Sequence, residues 1–523
     1  MTLDPAALQV LVARLSGVAD EMGAVLRRAA SSPNIKERAD CSAALFTADG
    51  VLLAQAEHIP VHLGSMETAV RAAIAVAGDG IGPGEQIIGN DPFAGGTHLN
   101  DVTLVAPVFV RDELVGWVAN RAHHADLGGT APGSMPPDAL VIDEEGLRLA
   151  PMRLTPDVEA ELVEASRTPE ERRGDLDAQR GANALGVERM AVVIEALGST
   201  APLVEIVDYG ERRMRAALAE LPDGTWTFAD VLDSAGPRPE QQTPTRVVVA
   251  VSVADDTVTF DFTGTDPQRP GNVNAVEAVT VSAVAFALRA ATDATIPANG
   301  GAMRPVRVIV PPGSVLGAQP PVAVGAGNVE VSQRVADVCL GALGVVVPDR
   351  VGAAGQGTMN NVLLGSPPGR GDGAWVYYET LGGGQGGRPW APGASGMHTA
   401  MTNTADTPTE ALERALPIRV RVSTLRRGSG GAGTHAGGDG IERELQMLED
   451  TVVSLVTERR VSRPWGLAGG EPGATGENWL LPGGDASRAV RLADKCIVRL
   501  AAGDVLRILT PGGGGWGSRP SDR

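Results

Sequence analysis

Apolar residues recur at three- and four-residue steps through Leu8, Leu11, Leu15, Val18, Met22 and Val25, which is one stripe of a helix. Asp4 stands at the capping position and Pro5 at the first helical one, and the pattern stops near Ser31-Ser32-Pro33. The period then shortens. Residues 41–47 and 51–56 flank Asp49-Gly50 and predict a β-hairpin. Residues 68–77 read as a helix. A second hairpin is predicted from 102–110 and 114–120, turning at 111–113. Residues 155–222 carry helical periodicity and many acids, including Glu159, Glu161, Glu164, Glu170 and Glu171, the mark of solvated helix faces. From Thr225 the chain turns to β, with strands at 245–253 and 257–262 and helices at 279–291 and 331–343. The last hundred residues read as short strands punctuated by glycine, ending in PGGGGW (511–516).

The expected fold class is therefore α+β and multi-domain, mixing helices with antiparallel β-hairpins. It divides into an α+β region (1–150), a helical segment (151–224), a central α/β region (225–420) and a glycine-rich β region (421–523). Composition narrows the picture. With 43% hydrophobic and 20% charged residues among 523, the chain can bury a large core. A net charge of −19 without a basic stripe excludes nucleic acid as a partner. No run of eighteen apolar residues predicts a membrane span, and acids and arginines break up any secretory pattern near the start. Three scattered cysteines, Cys41, Cys339 and Cys496, form no CxxC or zinc-ribbon spacing and suit the cytoplasm.

Of the 44 basic residues only Lys36 and Lys495 are lysine, and neither precedes Ser or Thr, so the chain holds no GxxxxGK[ST] phosphate loop. Gly428, Gly430 and Gly433 spell GxGxxG but open no helical pattern, and read as turn glycines. If ATP is used, another chain is expected to bind it.

Candidate chemistry concentrates in histidine. Five of seven (His58, His62, His98, His123, His124) fall within residues 58–124, beside acids in HLND (98–101) and HHAD (123–126). Imidazole with carboxylate suits Zn²⁺, Mn²⁺ or Fe²⁺. If the second hairpin turns near residue 112, Asp101 faces His123 with Cβ atoms roughly 4.5–5.5 Å apart. His98 lies three residues earlier, past Gly95-Gly96, where the backbone can fold back. The first hairpin places Cys41 across from His58, with Asp40 just outside, and either Glu37 or Asp40 can add a carboxylate if the two open ends meet.

Blander readings apply to the rest. His58 and His62 suit solvated surface pairs, and His398 and His435 stand alone in glycine-rich loops as structural residues. His124 points away from His123 along a strand, leaving it an outer, proton-transfer role or none. Asp126 suits a cap of the turn at Gly128-Gly129 better than an imidazole partner. Cys41 in a strand is more often a small buried hydrophobe than a nucleophile. Asn328 and the asparagines of MNN (359–361) suit either substrate contacts or turns.

Several segments together resemble the B-type component of the hydantoinase/5-oxoprolinase family (N-methylhydantoinase B-like proteins): NIKERADCSAALFTADG (34–50), HIPVHLGSM (58–66), GNDPFAGGTHLNDVTLVAPVF (89–109), NRAHHADLGG (120–129), IPANGGAMRPVRV (296–308), TNTADTPTEALE (402–413), RRGSGGAGTHAGGDGIERE (426–444) and TPGGGGWG (510–517). The chain is also similar to the α-subunit of acetone and acetophenone carboxylases, though it is much shorter. The resemblance implies a cytoplasmic hetero-oligomer in which ATP is held by a larger A-type subunit that phosphorylates the carbonyl of a small cyclic amide or imide. The B-type chain would then hydrolyse the activated ring with water activated by a divalent metal, Zn or Mn. It implies Asp40, His98, Asp101 and His123 as ligands; Glu37 is kept as an adjacent base or extra ligand, and an adjacent carboxylate or His124 can take the proton. A ketone carboxylase subunit and a metal-stabilised scaffold are the competing readings.

Overall fold

The computed structural model describes residues 4–519 except His58, Leu63 and Asp372, and the side chains of Glu57 and Asp79. The expected pairing of Cys41 with His58 lies outside the described residues. No single described helix is long and apolar enough to cross a membrane.

The chain opens with α1 (Pro5–Ala29) and a single turn, α2 (Pro33–Lys36). Six strands then form the first sheet: β1 (Cys41–Thr47), β2 (Leu52–Glu57), β3 (Ile87–Gly89), β4 (Asp101–Val110), β5 (Glu113–His123) and β6 (Met152–Arg153), in the order β2-β1-β5-β4-β3-β6. Both predicted hairpins form, and Asp101 pairs with His123 as the turn position implied, despite a bulge at Val108/Phe109. The open ends also meet. β1 runs antiparallel to β5 with Cys41 opposite Ala122, so His123 donates its backbone N–H to the Asp40 carbonyl at 3.1 Å.

Strand alternation gives this sheet two apolar faces. Ala43 and Leu45 pack with Leu11, Leu15 and Met22 of α1, while Ala44 and Phe46 pack with Met66 and Val70 of α3 (Ser65–Ala77). The acidic stretch forms α4 (Pro156–Ala165), α5 (Pro169–Leu197) and α6 (Ala201–Leu218). α5 lies over β4 and β5 on the α1 face, where Ala178 and Ala182 meet Ala122. The helical segment thus completes the first sheet's core.

The second sheet contains β7 (Gly224–Leu232), β8 (Thr245–Ala254), β9 (Thr257–Asp261) and β10 (Val306–Ile309), ordered β10-β9-β8-β7 with only β10 parallel to its neighbour β9. Val247, Val249, Val251 and Phe260 share one core with α7 (Glu277–Ala291) and α8 (Ser332–Val346). α8 is entered through a π-turn, Gly327–Val331, a widened turn that recurs at functional sites.

The remaining strands are β11 (Asn361–Gly365) and β12 (Val376–Glu379), then, after α9 (Thr409–Ala415), β13 (Ile418–Arg426), β14 (Gly440–Met447), β15 (Thr451–Val456), β16 (Glu477–Leu481), β17 (Val490–Leu492), β18 (Lys495–Leu500) and β19 (Val505–Leu509). They form two sheets, β12-β11-β15-β18 and β13-β14-β19-β16-β17, around a common core of Val362, Tyr377, Leu455, Leu445 and Leu506. The expected boundary near 420 therefore falls within a sheet.

The glycine runs fall between the strands, as the sequence implied. Residues 382–387, 466–473 and 511–515 lie outside every strand, and so does the GxGxxG stretch. These segments bond to one another through bare backbone: Gly387 N–H to Gly514 O (2.8 Å), Gly431 N–H to Gly513 O (2.8 Å) and Gly513 N–H to Gly438 O (3.0 Å). A Cβ on Gly384, Gly437, Gly512 or Gly514 would sit 2.0 Å from a neighbouring carbonyl oxygen. Only glycine permits this approach.

Gly514→Ala is accordingly expected to cost at least about 1–3 kcal/mol, because rigid backbone must move aside. Gly17→Ala, in α1 with nothing within 4 Å of the added methyl, is expected to gain about 0.5–1 kcal/mol. Denaturant melts of the two variants test the contrast.

Candidate metal centre

Two strand ends and one loop build the site. Asp91 caps the short turn Pro92–Ala94 by accepting from Phe93 N–H. Gly95 (φ +100°) then reverses the chain at a point where a Cβ would lie 2.9 Å from the Ala69 backbone. This fold-back delivers Thr97 and His98 over the start of β4, where Asp101 faces His123.

Asp101 is the common partner. Its Oδ2 accepts from Thr97 Oγ1 (2.5 Å), Asn328 Nδ2 (3.1 Å) and His62 Nε2 (3.2 Å), and lies 3.1 Å from His98 Nδ1. Its Oδ1 is 3.6 Å from His123 Nδ1, which in turn is 3.9 Å from Asp40 Oδ2. All five of these ionisable side chains are buried. His98, Asp101 and His123 each bring one possible ligand atom within 4.8 Å of the others. Asp40 stands beside them.

Burial sets the electrostatics. It drives His123 down to about 3, keeping that imidazole neutral, and lowers His62 from its ordinary value. Burial, with the Asp101 charge, pushes Asp40 up to about 7, against the pull of Arg38 and His98. Burial would also raise Asp101, but His98, His62 and the imidazole hydrogen bonds outweigh it and hold that carboxyl well below its usual range.

The donor set fits a divalent cation. Nε2 of His98 and Nε2 of His123 are both buried without a hydrogen-bond partner, an arrangement that costs stability unless something occupies it. Two imidazoles with two carboxylates are a borderline-to-hard set suited to Zn²⁺ or Mn²⁺.

Several expectations change. His62 is not a solvated surface residue. It is fully buried in the turn Pro60–His62, donating from Nε2 to Asp101 and leaving Nδ1 to accept from Ser42 Oγ at 2.9 Å. Its signal was present in HIPVHLGSM. His124 lies on the α5 face, its Nε2 2.9 Å from Gln179 Oε1, because adjacent strand residues point to opposite sides. Glu37 ends α2 half-buried and makes no side-chain hydrogen bond or ion pair with a described residue. Neither reaches the cluster.

Asp126 does cap its turn, accepting from Gly128 N–H at 2.7 Å, and it pairs with Arg167. The Cys41 thiol is buried, which pushes its pKa up, and it packs with Ala30, Ile35 and Ala122 as a small hydrophobe. Asn328 contacts both Asp101 and His98 Nδ1 (2.9 Å). Tyr378 is an addition from β12. Its ring stacks on His123 with centroids 4.7 Å apart and 13° between planes, and its hydroxyl donates to Asn361 Oδ1 (2.8 Å). Asn361 in turn donates to Glu330 Oε1 (2.7 Å) on the π-turn. The chain holds only three tyrosines, and that scarcity was the available sign.

Fold and site together define a multi-domain α+β protein organised around one enclosed His/Asp centre. The chain belongs to the hydantoinase B/oxoprolinase family, whose model matches residues 4–519. It is 39% identical to an uncharacterized protein of Methanocaldococcus jannaschii, over 99% of this chain and 91% of that one. It is 38% identical to 5-oxoprolinase 1 of Arabidopsis thaliana over 98% of this chain, but spans only 42% of that longer protein. A Pseudomonas protein named as a candidate B-type subunit of a D-/L-hydantoinase is 32% identical, over 99% of this chain and 90% of that one. Among solved structures, the ATP-dependent caprolactamase from Pseudomonas jessenii matches with a TM-score of 0.91 and 27% identity, over 100% of this chain and 93% of that chain. Nucleotide-free acetone carboxylase shares the fold (TM-score 0.88, 19% identity, 98% of this chain and 76% of that one).

Asn328→Ala removes the amide that orients His98 and Asp101. It is expected to weaken divalent-metal binding by the purified chain about 10- to 100-fold, read by competition with a chromophoric chelator.

Proposed function

We propose that this chain is the B-type subunit of an ATP-dependent cyclic-amide hydrolase, acting on a lactam or hydantoin whose carbonyl a larger A-type subunit has phosphorylated. The observation that carries the reading is the buried His98, Asp101 and His123 cluster with its two orphaned ring nitrogens. The full-length match to a caprolactamase and to a B-type hydantoinase chain supports the substrate class. The missing phosphate-loop lysine and the extra length of the 5-oxoprolinase support a separate ATP-binding part.

In this reading Asp40, His98, Asp101 and His123 hold the metal. A divalent cation, when bound, supplies Lewis acidity and brings the pKa of water toward neutrality. The chain's own residues do the positioning. Asp101, fixed by Thr97, His62 and Asn328, orients both imidazoles, while Tyr378 covers the His123 face. Enclosure keeps bulk water from an activated ring. Phosphorylating the oxygen of an unstrained amide makes it a leaving group, which amide resonance otherwise opposes. We assign no acid–base step to Glu37 or His124, since neither reaches the cluster.

The test is reconstitution with a larger A-type subunit of the same family. Protein carrying about one divalent ion per chain and ATP-dependent turnover of a lactam or hydantoin panel, both lost in His98→Ala, are the expected results. Full activity of metal-free wild type would refute the proposal. Bicarbonate-dependent ATP turnover with a ketone, and none with lactams, would assign the carboxylase reading. Intact turnover in a metal-retaining Asp101→Asn would assign the scaffold reading.

A further inference from the structure

A histidine that binds metal through one ring nitrogen commonly donates its other N–H to a carboxylate, carbonyl or water, and that bond fixes the plane of the ring. His98 has such neighbours, since its Nδ1 lies 3.1 Å from Asp101 Oδ2 and 2.9 Å from Asn328 Nδ2. His62 is bonded at both nitrogens, and His124 at Nε2. His123 is the exception. Its Nε2 has no partner, and its Nδ1 meets Asp101 Oδ1 only at 3.6 Å and Asp40 Oδ2 only at 3.9 Å. Those carboxylates attract one edge of the ring, but the distances are too long for a directional hydrogen bond. Something else has to set the plane of His123.

Tyr378 does so. Its phenol ring stacks on His123 at 4.7 Å and 13°, whereas the His98 ring beside His123 is tilted by 45° and offers no parallel face. Tyr378 is itself held at both ends. Arg38 donates from Nη1 to the Tyr378 carbonyl, and its guanidinium carbon lies 5.1 Å from the ring centre. At the far end the hydroxyl donates to Asn361 Oδ1 at 2.8 Å. The Asn361 amide is fixed in turn. Its Nδ2 donates to both Glu330 Oε1 (2.7 Å) and Val456 O (2.8 Å), which leaves the amide oxygen to face Tyr378. Glu330 is buried, and its Oε1 also accepts from Met359 N–H at 3.0 Å.

Glu330 and Asn328 belong to the same π-turn, Gly327–Val331. Residues two apart on a helical turn do not share a face. Asn328 accordingly reaches the first sheet, where it touches His98 and Asp101, while Glu330 reaches Asn361 at the start of β11. One short segment thus acts on both imidazoles, on His98 directly and on His123 through Asn361 and Tyr378. Widened turns are rare in helices and recur where function needs their geometry.

We propose that the π-turn presets both imidazole ligands of the metal centre: Asn328 orients His98, while Glu330, Asn361 and Tyr378 fix the ring plane of His123. The inference rests on the metal reading of the cluster and adds three positioning residues to it. A ligand ring already held in its bound plane loses little freedom when the ion arrives, so preorganisation is read as affinity. Tyr378, Asn361 and Glu330 act only through His123.

Metal binding by the purified full chain decides it, read by competition of a chromophoric chelator for Zn²⁺. Tyr378→Leu deletes the stacked ring and is expected to weaken Zn²⁺ binding about 10- to 100-fold. Tyr378→Phe keeps the ring and is expected to recover most of that affinity. Asn361→Ala releases the hydroxyl end and is expected to cost less than Tyr378→Leu. In the Tyr378→Leu background it is expected to add nothing, because its effect runs through the missing ring. Wild-type affinity in Tyr378→Leu, or full additivity of the two substitutions, would overturn the inference. Co²⁺ gives a second reading that does not depend on Tyr378→Leu folding. The visible absorption bands of the Co²⁺-loaded chain are expected to shift in Asn361→Ala. A merely structural Asn361 would lower stability and leave the bands in place, and that result also overturns the inference. Failure of the wild-type chain to bind Zn²⁺ at all would instead defeat the metal reading beneath it.

Discussion

One buried carboxylate organises this molecule. Asp101 is taken out of water at the end of a hairpin, and its charge is tolerable only because donors converge on it from several directions. Those donors come from different parts of the chain. Thr97 and His98 come from the glycine-turned loop, His62 from the turn leading into α3, and Asn328 from the π-turn ahead of α8. Satisfying Asp101 therefore brings the first and second sheets together at one point. That point is also where the orphaned imidazole nitrogens collect.

The third sheet is joined to the second by a different device. Arg459, just past β15, reaches Asp230 on β7 and Asp337 on α8, each at 2.6 Å, and Arg334 of α8 bonds the same two carboxylates at 3.1 and 3.0 Å. Lys495, one of only two lysines, is fully buried against Glu458 at 2.6 Å. Breaking such a pair leaves a buried charge uncompensated, at a cost of about 3–5 kcal/mol, so the junction is held in one arrangement. Its consequence for the site is direct. Tyr378 on β12 can stack on His123 only if the third sheet keeps its place beside the first two.

Glycine acts at two scales. At Gly95 a left-handed turn aims His98. In the C-terminal region whole segments touch through backbone alone, and β12 runs straight into one of them at 382–387. Those segments hold the exit of β12 by carbonyl and amide contacts that no side chain could share. The excess of 67 glycines has a structural cause in this packing, whatever coding bias also contributes.

Local pattern carried much of the fold. Hydrophobic period placed the helices and both hairpins within a few residues, and the turn at 111–112 set the register that pairs Asp101 with His123. Family motifs marked Asp40 and His98 as their companions. These were readable because strand register and helix period are set by neighbours in the chain. His62, Asn328 as a direct partner of the cluster, and Tyr378 were not. They meet the site across tens to hundreds of residues, through sheet-to-sheet packing that no local period encodes. The side of the strand on which His124 falls was legible in the sequence. That this side belongs to α5, and that Glu37 stays off the cluster, was decided only when the helices covered one face and left the other to the histidines.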